Sequence, residues 1–192
     1  IFVWFSKEIK HSSIWYPMPV LMVATYNEDG SVNVMNLHEA TRTVEGDMCL
    51  CIGESKRTHE NIEMRKAFTI ALVNQNNLAA VDFFGTVSGY REPKKIENTG
   101  LKARKSTHID APIIEGSSLV IECELRELVR TGNFSTIIGA VVDVAADESA
   151  LDENGKIDSA KSDMILYNSF NNTYISLGDI VGKAWVEGKK YL

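Results

Sequence analysis

The chain has 192 residues, 44% of them hydrophobic, which is enough for one sizeable core, and we expect a single domain over residues 1–192. Its 20 basic and 26 acidic residues leave a net charge of −6, so no global positive field attracts nucleic acid or an anionic membrane, and any anion site must be local. No apolar run approaches the roughly 18 residues of a membrane span, and the first ten residues lack a signal-peptide pattern, so we expect a soluble, cytoplasmic protein.

The predicted elements begin with a hairpin. Two strand-like runs flank the turn sequence NEDG, and its Asp-Gly pair favours a tight antiparallel connection. In the next run the apolar residues alternate with Cys49 and Cys51, which is typical of a strand. From Thr58 the spacing changes to that of a short helix, and a second helix is predicted to end at Gly85. The predicted bounds are strands at 20–26, 31–37, 47–53 and 68–74, a helix from 58, and a helix at 75–85.

The second half of the chain opens with a long irregular stretch, 86–116, that contains two prolines and mixed charges. Its length indicates a functional role rather than a mere connection. Beyond it, long strands are predicted at 117–130 and 135–147, and short ones at 164–167 and 173–178. Antiparallel strands with short loops predict a closed barrel with helices packed outside. A parallel doubly wound sheet is disfavoured because strands and helices do not alternate regularly.

The cysteines and histidines do not suggest a disulfide framework or a metal centre. The three cysteines, Cys49, Cys51 and Cys123, are odd in number, and the first two share one strand face, so we expect free structural thiols. The sequence HEATR at 38–42 lacks the second histidine of the H-E-x-x-H zinc motif, and no metal site is expected. No Ser-His-Asp or Cys-His set indicates a catalytic residue.

The segment GESKRTHEN at 53–61 has the composition of an anion site. A helix that begins near Thr58 exposes unpaired backbone N–H groups and the positive end of its dipole. Hydroxyls, cations and an amide follow one another there, and the candidate ligands are Ser55, Lys56, Arg57, Thr58 and Asn61. The alternative is that Thr58 is an ordinary N-cap and the cations are solvated. Without a Walker or dinucleotide glycine motif, a nucleoside triphosphate is not expected.

The order of several segments resembles the flavin reductase-like and flavoredoxin family of FMN-binding split-barrel proteins. The resemblance runs from Pro17 to Gly182 and rests on VLMVATYNEDGSVNVMNLHEAT, CIGESKRTHENIE, FTIALVN, GTVSGYREPKK and STIIGAVVDV in this order. It implies a mainly β, antiparallel Greek-key barrel with flanking short helices. It also implies that the T-x-x-N-I sequence at 58–62 holds the phosphate of FMN.

The same resemblance implies further cofactor contacts. The flavin ring is expected along the segment that follows the first hairpin, which comprises Asn36, Leu37, His38, Glu39, Ala40 and Thr41. Further contacts are implied for Ser88, Gly89, Lys94 and the aromatic ring of Tyr167. Alternatives stay open for three of these residues: His38 as a surface group, Lys94 as a solvated cation, and Tyr167 as a packing residue. Where many family members carry a histidine linked to nicotinamide use, this chain has Phe134, which can contact the cofactor by stacking but cannot donate a hydrogen bond or a proton.

The resulting hypothesis is an oxidoreductase that transfers electrons through noncovalently bound FMN, from NAD(P)H or from a small redox protein. Phe134 favours the redox protein slightly. The alternative is a non-enzymatic flavin-binding or electron-carrier module. The residues do not distinguish FMN from FAD. A homodimer is expected from the resemblance and from aromatic rings near the termini, namely Trp4, Phe5, Trp15, Tyr16 and Trp185.

Overall fold

The computed structural model describes residues 15–192. The strands are β1 (Met18–Pro19), β2 (Leu21–Tyr26), β3 (Val32–Leu37), β4 (Ala40–Arg42), β5 (Met48–Gly53), β6 (Ala67–Leu72), β7 (Ala103–Lys105), β8 (Pro112–Ile114), β9 (Leu119–Thr131), β10 (Phe134–Ala146), β11 (Ile165–Asn168) and β12 (Thr173–Ser176). The α-helices are α1 (Arg57–Arg65) and α2 (Leu78–Thr86), and short 3-10 helices lie at Gln75–Asn77, Lys95–Thr99, Glu148–Ala150 and Glu187–Tyr191.

Seven strands form one antiparallel sheet in the order β3-β2-β6-β9-β10-β5-β4. Its two end strands, β3 and β4, follow each other in the sequence and are not hydrogen-bonded to each other in the described part of the chain. The barrel is therefore split at this point rather than closed. The predicted antiparallel, mainly β fold is confirmed, and the short segment between the two end strands lies at the opening.

The strand β2 is buried on both faces, which explains its unbroken apolar sequence. Leu21 and Val23 pack with Phe68 and other residues inside the barrel. Met22 and Ala24 point the opposite way and pack in the cluster that includes Val81 and Phe84 of α2. Successive side chains of a strand alternate between faces, so β2 joins the barrel interior to the outer helical layer. This packing fixes α2 against the back of the first hairpin.

The predicted 86–116 segment is less irregular than its sequence suggests. It contains a 3-10 helix and the two-stranded sheet β7–β8. In the tail, β11 pairs with β12 on one side and with β1 on the other. The cysteines are free as predicted, and burial raises the pKa of Cys123 to about 12. Among the described residues, no helix has both the length and the apolar composition required to cross a membrane.

Candidate functional site

A cavity of about 510 Å³ lies between the end of β3, the start of α1 and the loop that follows α2, and we call it the main cavity. The volume lies in the range typical of small-molecule sites. Nine of the residues predicted from the sequence line it: Asn36, Leu37, Glu39, Ser55, Lys56, Arg57, Thr58, Ser88 and Gly89. The structure thus brings the predicted anion-binding turn, the segment after the first hairpin and the Ser-Gly pair to one place.

The helix α1 begins at this cavity with backbone N–H groups that have no acceptor in the described chain. Its N-cap is Lys56, in an extended conformation and without a side-chain cap hydrogen bond. The alternative that Thr58 is the N-cap is therefore wrong, because Thr58 lies inside the first turn. The first backbone N–H groups with acceptors are those of His59 and Glu60, which both donate to the carbonyl of Lys56. The N–H groups of Arg57 and Thr58 have no acceptor in the described chain, which is the usual basis of an anion site.

The side chain of Thr58 is positioned by a buried polar network. Its Oγ1 accepts a hydrogen bond of 2.8 Å from Asn33 Nδ2, which also donates to Thr25 Oγ1 at 3.3 Å. Thr58 is 2% exposed, so this hydrogen bond orients the hydroxyl in a dry environment. Because the hydroxyl oxygen is used as an acceptor, its own proton stays available to donate toward the cavity.

Asn61 does not reach the main cavity, contrary to the prediction. Its Nδ2 donates to Thr25 Oγ1 at 3.0 Å and to Asn27 Oδ1 at 2.9 Å, and the residue is 1% exposed. The physical reason is that the inward face of α1 is polar and meets the first hairpin, so Asn61 ties the helix to the turn. Its effect on any ligand acts through the position of α1.

The lining is strongly basic in a chain of net negative charge. Four cations, Lys56, Arg57, Arg91 and Lys95, line the main cavity together with a single carboxylate, that of Glu39. The guanidinium of Arg57 is held from two sides, since its Nε donates to Asn27 Oδ1 at 3.0 Å and its Cζ lies 5.3 Å from the centre of the Tyr90 ring. The sequence-based expectation that an anion site must be local is consistent with this concentration of charge.

The lysine at the cavity is Lys95 rather than the predicted Lys94. Lys94 is exposed, whereas Lys95 is 2% exposed and its Nζ donates to the carbonyl oxygens of Phe84 and Val87 at 2.8 and 2.7 Å. These carbonyls end α2, so the ammonium also satisfies the negative end of that helix. Burial, and then the nearby Lys56, lower the pKa of Lys95 to about 8.

The carboxamide of Asn36 presents a free acceptor. Its Oδ1 is buried and has no hydrogen-bond partner, and the residue lines the main cavity. Its Nδ2 lies 3.5 Å from the hydroxyl of Tyr174, which in turn donates to Asp82 Oδ1 at 2.9 Å. Burial, with Asp82 as the next contribution, raises the pKa of Tyr174 to about 12, so the phenol stays protonated. An orphaned buried oxygen at the wall of a cavity fits a ligand that carries an N–H donor.

The remaining residues of the segment after the hairpin line a separate, neighbouring cavity of about 390 Å³, which we call the side cavity. They are His38, Ala40 and Thr41, and Glu39 and Cys51 line both cavities. The ring of His38 stacks on Tyr167 with centroids 4.2 Å apart and an interplanar angle of 16°. Burial lowers the pKa of His38, although Glu39 acts in the opposite direction.

Two aromatic residues that were predicted to contact a ligand line neither cavity of the single chain. Tyr167 lines neither cavity, since its ring covers His38 and its hydroxyl donates to Asn172 Oδ1 at 2.6 Å. Phe134 is 44% exposed, pairs with Gly53 across β10 and β5, and also lines neither cavity. Within one chain Tyr167 is a packing residue, and its contact with a flavin stays a prediction.

Several lining residues were not predicted, among them Asn33, Cys51, Arg91 and Lys95. Asn33 and Arg91 carried a usable signal, since Asn33 is a polar residue at an inward position of an apolar strand and Arg91 lies two positions after the Ser-Gly pair. Cys51 could have been found from its position two residues before the anion-binding turn. Burial, and then Glu39, raise the pKa of its thiol, so the thiol lines the cavity in its neutral form.

Comparisons with known proteins agree with this geometry. The family model for the flavin reductase like domain matches residues 12–170. The solved structure of flavoredoxin of Desulfovibrio vulgaris (Miyazaki F) is 27% identical, with a TM-score of 0.91 over 96% of this chain and 100% of that chain.

Two further solved structures show the same fold at lower identity. Flavoredoxin from Methanosarcina acetivorans is 24% identical, with a TM-score of 0.87 over 98% of this chain and 100% of that chain. An FMN-binding protein from Thermus thermophilus is 21% identical, with a TM-score of 0.77 over 95% of this chain and 99% of that chain. At these identities the likeness shows the split-barrel fold alone.

Proposed function

The chain belongs to the flavin reductase like domain family, and from that premise we propose that it is an oxidoreductase that holds FMN noncovalently in the main cavity. The observation that carries the proposal is the uncapped start of α1, which presents the free N–H groups of Arg57 and Thr58 to a cavity lined by four cations. A phosphate monoester is a dianion near neutral pH, and these donors suit it.

Different groups of the protein would hold the phosphate and the flavin ring. The hydroxyl of Thr58, the side chains of Ser55 and Lys56, and the helix N–H groups would hold the phosphate. The unpaired Oδ1 of Asn36 would accept a hydrogen bond from the polar edge of the flavin ring. A bound flavin supplies the redox chemistry, because it accepts a hydride or single electrons and passes them on. No side chain of this chain is required as a catalytic acid or base.

We propose FMN rather than FAD. The structurally similar protein from Thermus thermophilus is an FMN-binding protein. The cations, the helix N-terminus and Thr58 form one compact anion site, which suits one terminal phosphate. We therefore expect FMN to bind more tightly than FAD, and riboflavin, which has no phosphate, to bind weakest.

For the electron donor, Phe134 favours a small redox protein over a nicotinamide. Its ring is 44% exposed beside Gly53, and it offers neither a proton nor a hydrogen bond there. The likeness to flavoredoxin of Desulfovibrio vulgaris supports an electron carrier. A module that binds flavin without turnover is the second candidate, and it shares the same cavity.

The test is the visible spectrum of the purified protein with FMN under anaerobic conditions, before and after NADH or NADPH. The expected result is a stoichiometric yellow complex. NADH or NADPH should bleach it slowly, and reduced ferredoxin, as a small redox protein, should bleach it faster. The absence of a stoichiometric complex would overturn the proposal. A complex that neither donor reduces, although dithionite reduces it, would select the binding module.

We further propose a homodimer. Among the described aromatic residues near the ends of the chain, Trp15 is 69% exposed and Trp185 is 93% exposed, which is unfavourable on a monomer. Tyr16 and Phe170 lie beside each other in the same region, with ring centroids 6.3 Å apart. The predicted contributions of Trp4 and Phe5 fall outside the described residues. A sedimentation measurement that gave a monomer at micromolar concentration would contradict the dimer.

The affinity for FMN is expected to fall roughly tenfold between pH 7 and pH 9.5, because loss of one nearby charge in a partly buried site is worth about 1–2 kcal/mol. Lys95 is charged below its pKa of about 8, and a bound phosphate raises that pKa, so the decline lies above pH 8. Fluorescence titrations with FMN and riboflavin at each pH measure the difference.

The variant Lys95→Arg, which stays charged, should flatten the decline in FMN affinity; a decline as steep as that of the wild type would contradict the role of Lys95. In the absence of ligand, the effect of Lys95 on folding stability changes with pH in the opposite direction to its effect on FMN affinity. Between pH 8 and pH 10.5 the unfolded chain binds the proton more tightly, so the contribution of Lys95 to the free energy of unfolding rises with pH.

A further inference from the structure

A second group of side chains, apart from both cavities, has the arrangement of a metal site. His108, Glu122 and Asp143 come from the loop between β7 and β8, from β9 and from β10, and one ligand atom of each lies within 4.8 Å of the others. His108 Nδ1 is 3.4 Å from Glu122 Oε1 and 3.6 Å from Asp143 Oδ2. None of the three residues lines the main cavity or the side cavity.

The register of the sheet places the two carboxylates side by side. Asp143 is the direct partner of Glu122 across the β9–β10 ladder, and a register shift between Val141 and Asp143 creates this pairing. Such an irregularity commonly redirects a side chain for a purpose. Like charges directly opposite each other destabilise a sheet, so a cation bound between them would stabilise the pair. In the described chain, no lysine or arginine lies within ion-pair distance of either carboxylate.

The central carboxylate is buried and already oriented. Glu122 is 2% exposed, and its Oε2 accepts a hydrogen bond from the hydroxyl of Ser106. The same oxygen of Ser106 accepts from the backbone N–H groups of His108 at 2.9 Å and Ile109 at 3.1 Å. One hydroxyl therefore fixes both the loop and the carboxylate, and it leaves Glu122 Oε1 directed at His108. A hydrogen bond of this kind to a ligating side chain orients that side chain in a metal site.

We propose that His108, Glu122 and Asp143 bind a divalent transition-metal ion of the zinc class, although the sequence alone predicts no metal. Zinc bonds of 2.0–2.2 Å to nitrogen and oxygen imply ligand-to-ligand distances of about 3.4 Å in a tetrahedron. The two distances from His108 Nδ1 match this value. Imidazole with two carboxylates suits Zn²⁺, and the half-exposed side leaves a fourth position to water. The ion clips the loop between β7 and β8 to the long β9–β10 hairpin.

The test is a calorimetric titration of the chelator-stripped protein with ZnCl₂, with FMN affinity measured in parallel. The expected result is one Zn²⁺ per chain and a raised melting temperature. The variants His108→Gln and Asp143→Asn should each weaken Zn²⁺ binding by at least about 100-fold. Loss of a residue that only hydrogen-bonds a ligand costs at most about that much, and loss of a ligand itself should cost more. Both side chains are about half exposed, so these variants are expected to fold, whereas Glu122→Gln places an amide in the core.

The matched control is Asp110→Asn, an exposed carboxylate two residues from His108 that pairs with Arg65. It should bind Zn²⁺ as the wild type does. The proposal is overturned if the wild type takes up no stoichiometric Zn²⁺, since the cluster is then held only by contacts within the protein. It is equally overturned if His108→Gln and Asp143→Asn bind Zn²⁺ like the control. FMN affinity should stay unchanged in all three variants.

Discussion

Thr58→Val is expected to weaken FMN binding by roughly 10- to 100-fold, because a hydrogen bond to a charged group contributes about 1.5–3 kcal/mol. The hydroxyl of Thr58 has one acceptor role, toward Asn33 Nδ2, and one free proton at the main cavity. Valine has the same shape but neither function. Riboflavin should bind the variant and the wild type within about threefold of each other, since it has no phosphate to which the hydroxyl of Thr58 could donate. Fluorescence titrations with the two ligands measure both effects.

Thr58→Ser is the matched control, since serine keeps the hydroxyl, and it should retain FMN affinity. The valine variant should also lose roughly 1–2 kcal/mol of unfolding free energy, because it leaves the buried Asn33 amide with only its longer contact to Thr25. Urea unfolding separates this loss from the ligand effect. An equal loss of FMN and riboflavin affinity would show that Thr58 shapes the cavity; unchanged FMN affinity would place the phosphate elsewhere.

The fold could be predicted from the sequence where the turn residues and the alternation of apolar residues along a strand indicate the same elements. The first hairpin, the strand β5 and the long β9–β10 hairpin all lie within two residues of their predicted bounds. The strands β7 and β8 were missed because each has three residues, too few for a periodic signal. The extent of the domain, residues 1–192, stays a prediction.

The candidate site was predicted best where its residues are consecutive. The turn at 55–58 is local, so its composition indicated an anion site before any contact was known. The failure for Asn61 has a different cause: helical spacing places it one turn from Arg57, yet the first hairpin takes up its donors. A helix whose inward face is polar cannot be oriented from apolar periodicity alone.

Contacts between residues that lie far apart in the sequence could not be predicted from it. The hydroxyl of Tyr174 lies 3.5 Å from the amide of Asn36, although 138 positions separate the two residues. The choice between Lys94 and Lys95 likewise depends on where the carbonyl oxygens of Phe84 and Val87 end α2. Both arrangements follow from the packing of α2 and the tail against β3, which no short motif encodes.

Gly89→Ala tests whether the buried hydrogen bonds of Asn33 position the residues that are proposed to bind the phosphate. A Cβ at Gly89 would lie 2.5 Å from Asn33 Oδ1 and 3.4 Å from Arg57 Cβ. Asn33 must then move, and it holds the hydroxyl of Thr58. We expect FMN affinity to fall by roughly 10- to 100-fold, with a loss of about 1–3 kcal/mol in unfolding free energy, the usual cost of overpacking. Isothermal calorimetry and urea unfolding measure the two quantities.

Gly53→Ala provides the comparison for Gly89→Ala, because Gly53 also lines the main cavity but its added Cβ would meet only ordinary contacts, the nearest being Lys56 Cγ at 3.7 Å. It should bind FMN nearly as the wild type does. If Gly89→Ala lowers FMN affinity and the second substitution Asn33→Ala largely cancels the added loss, the clash acts through Asn33. If both glycine variants bind FMN as well as the wild type does, the close approach of Gly89 to Asn33 has no part in phosphate binding.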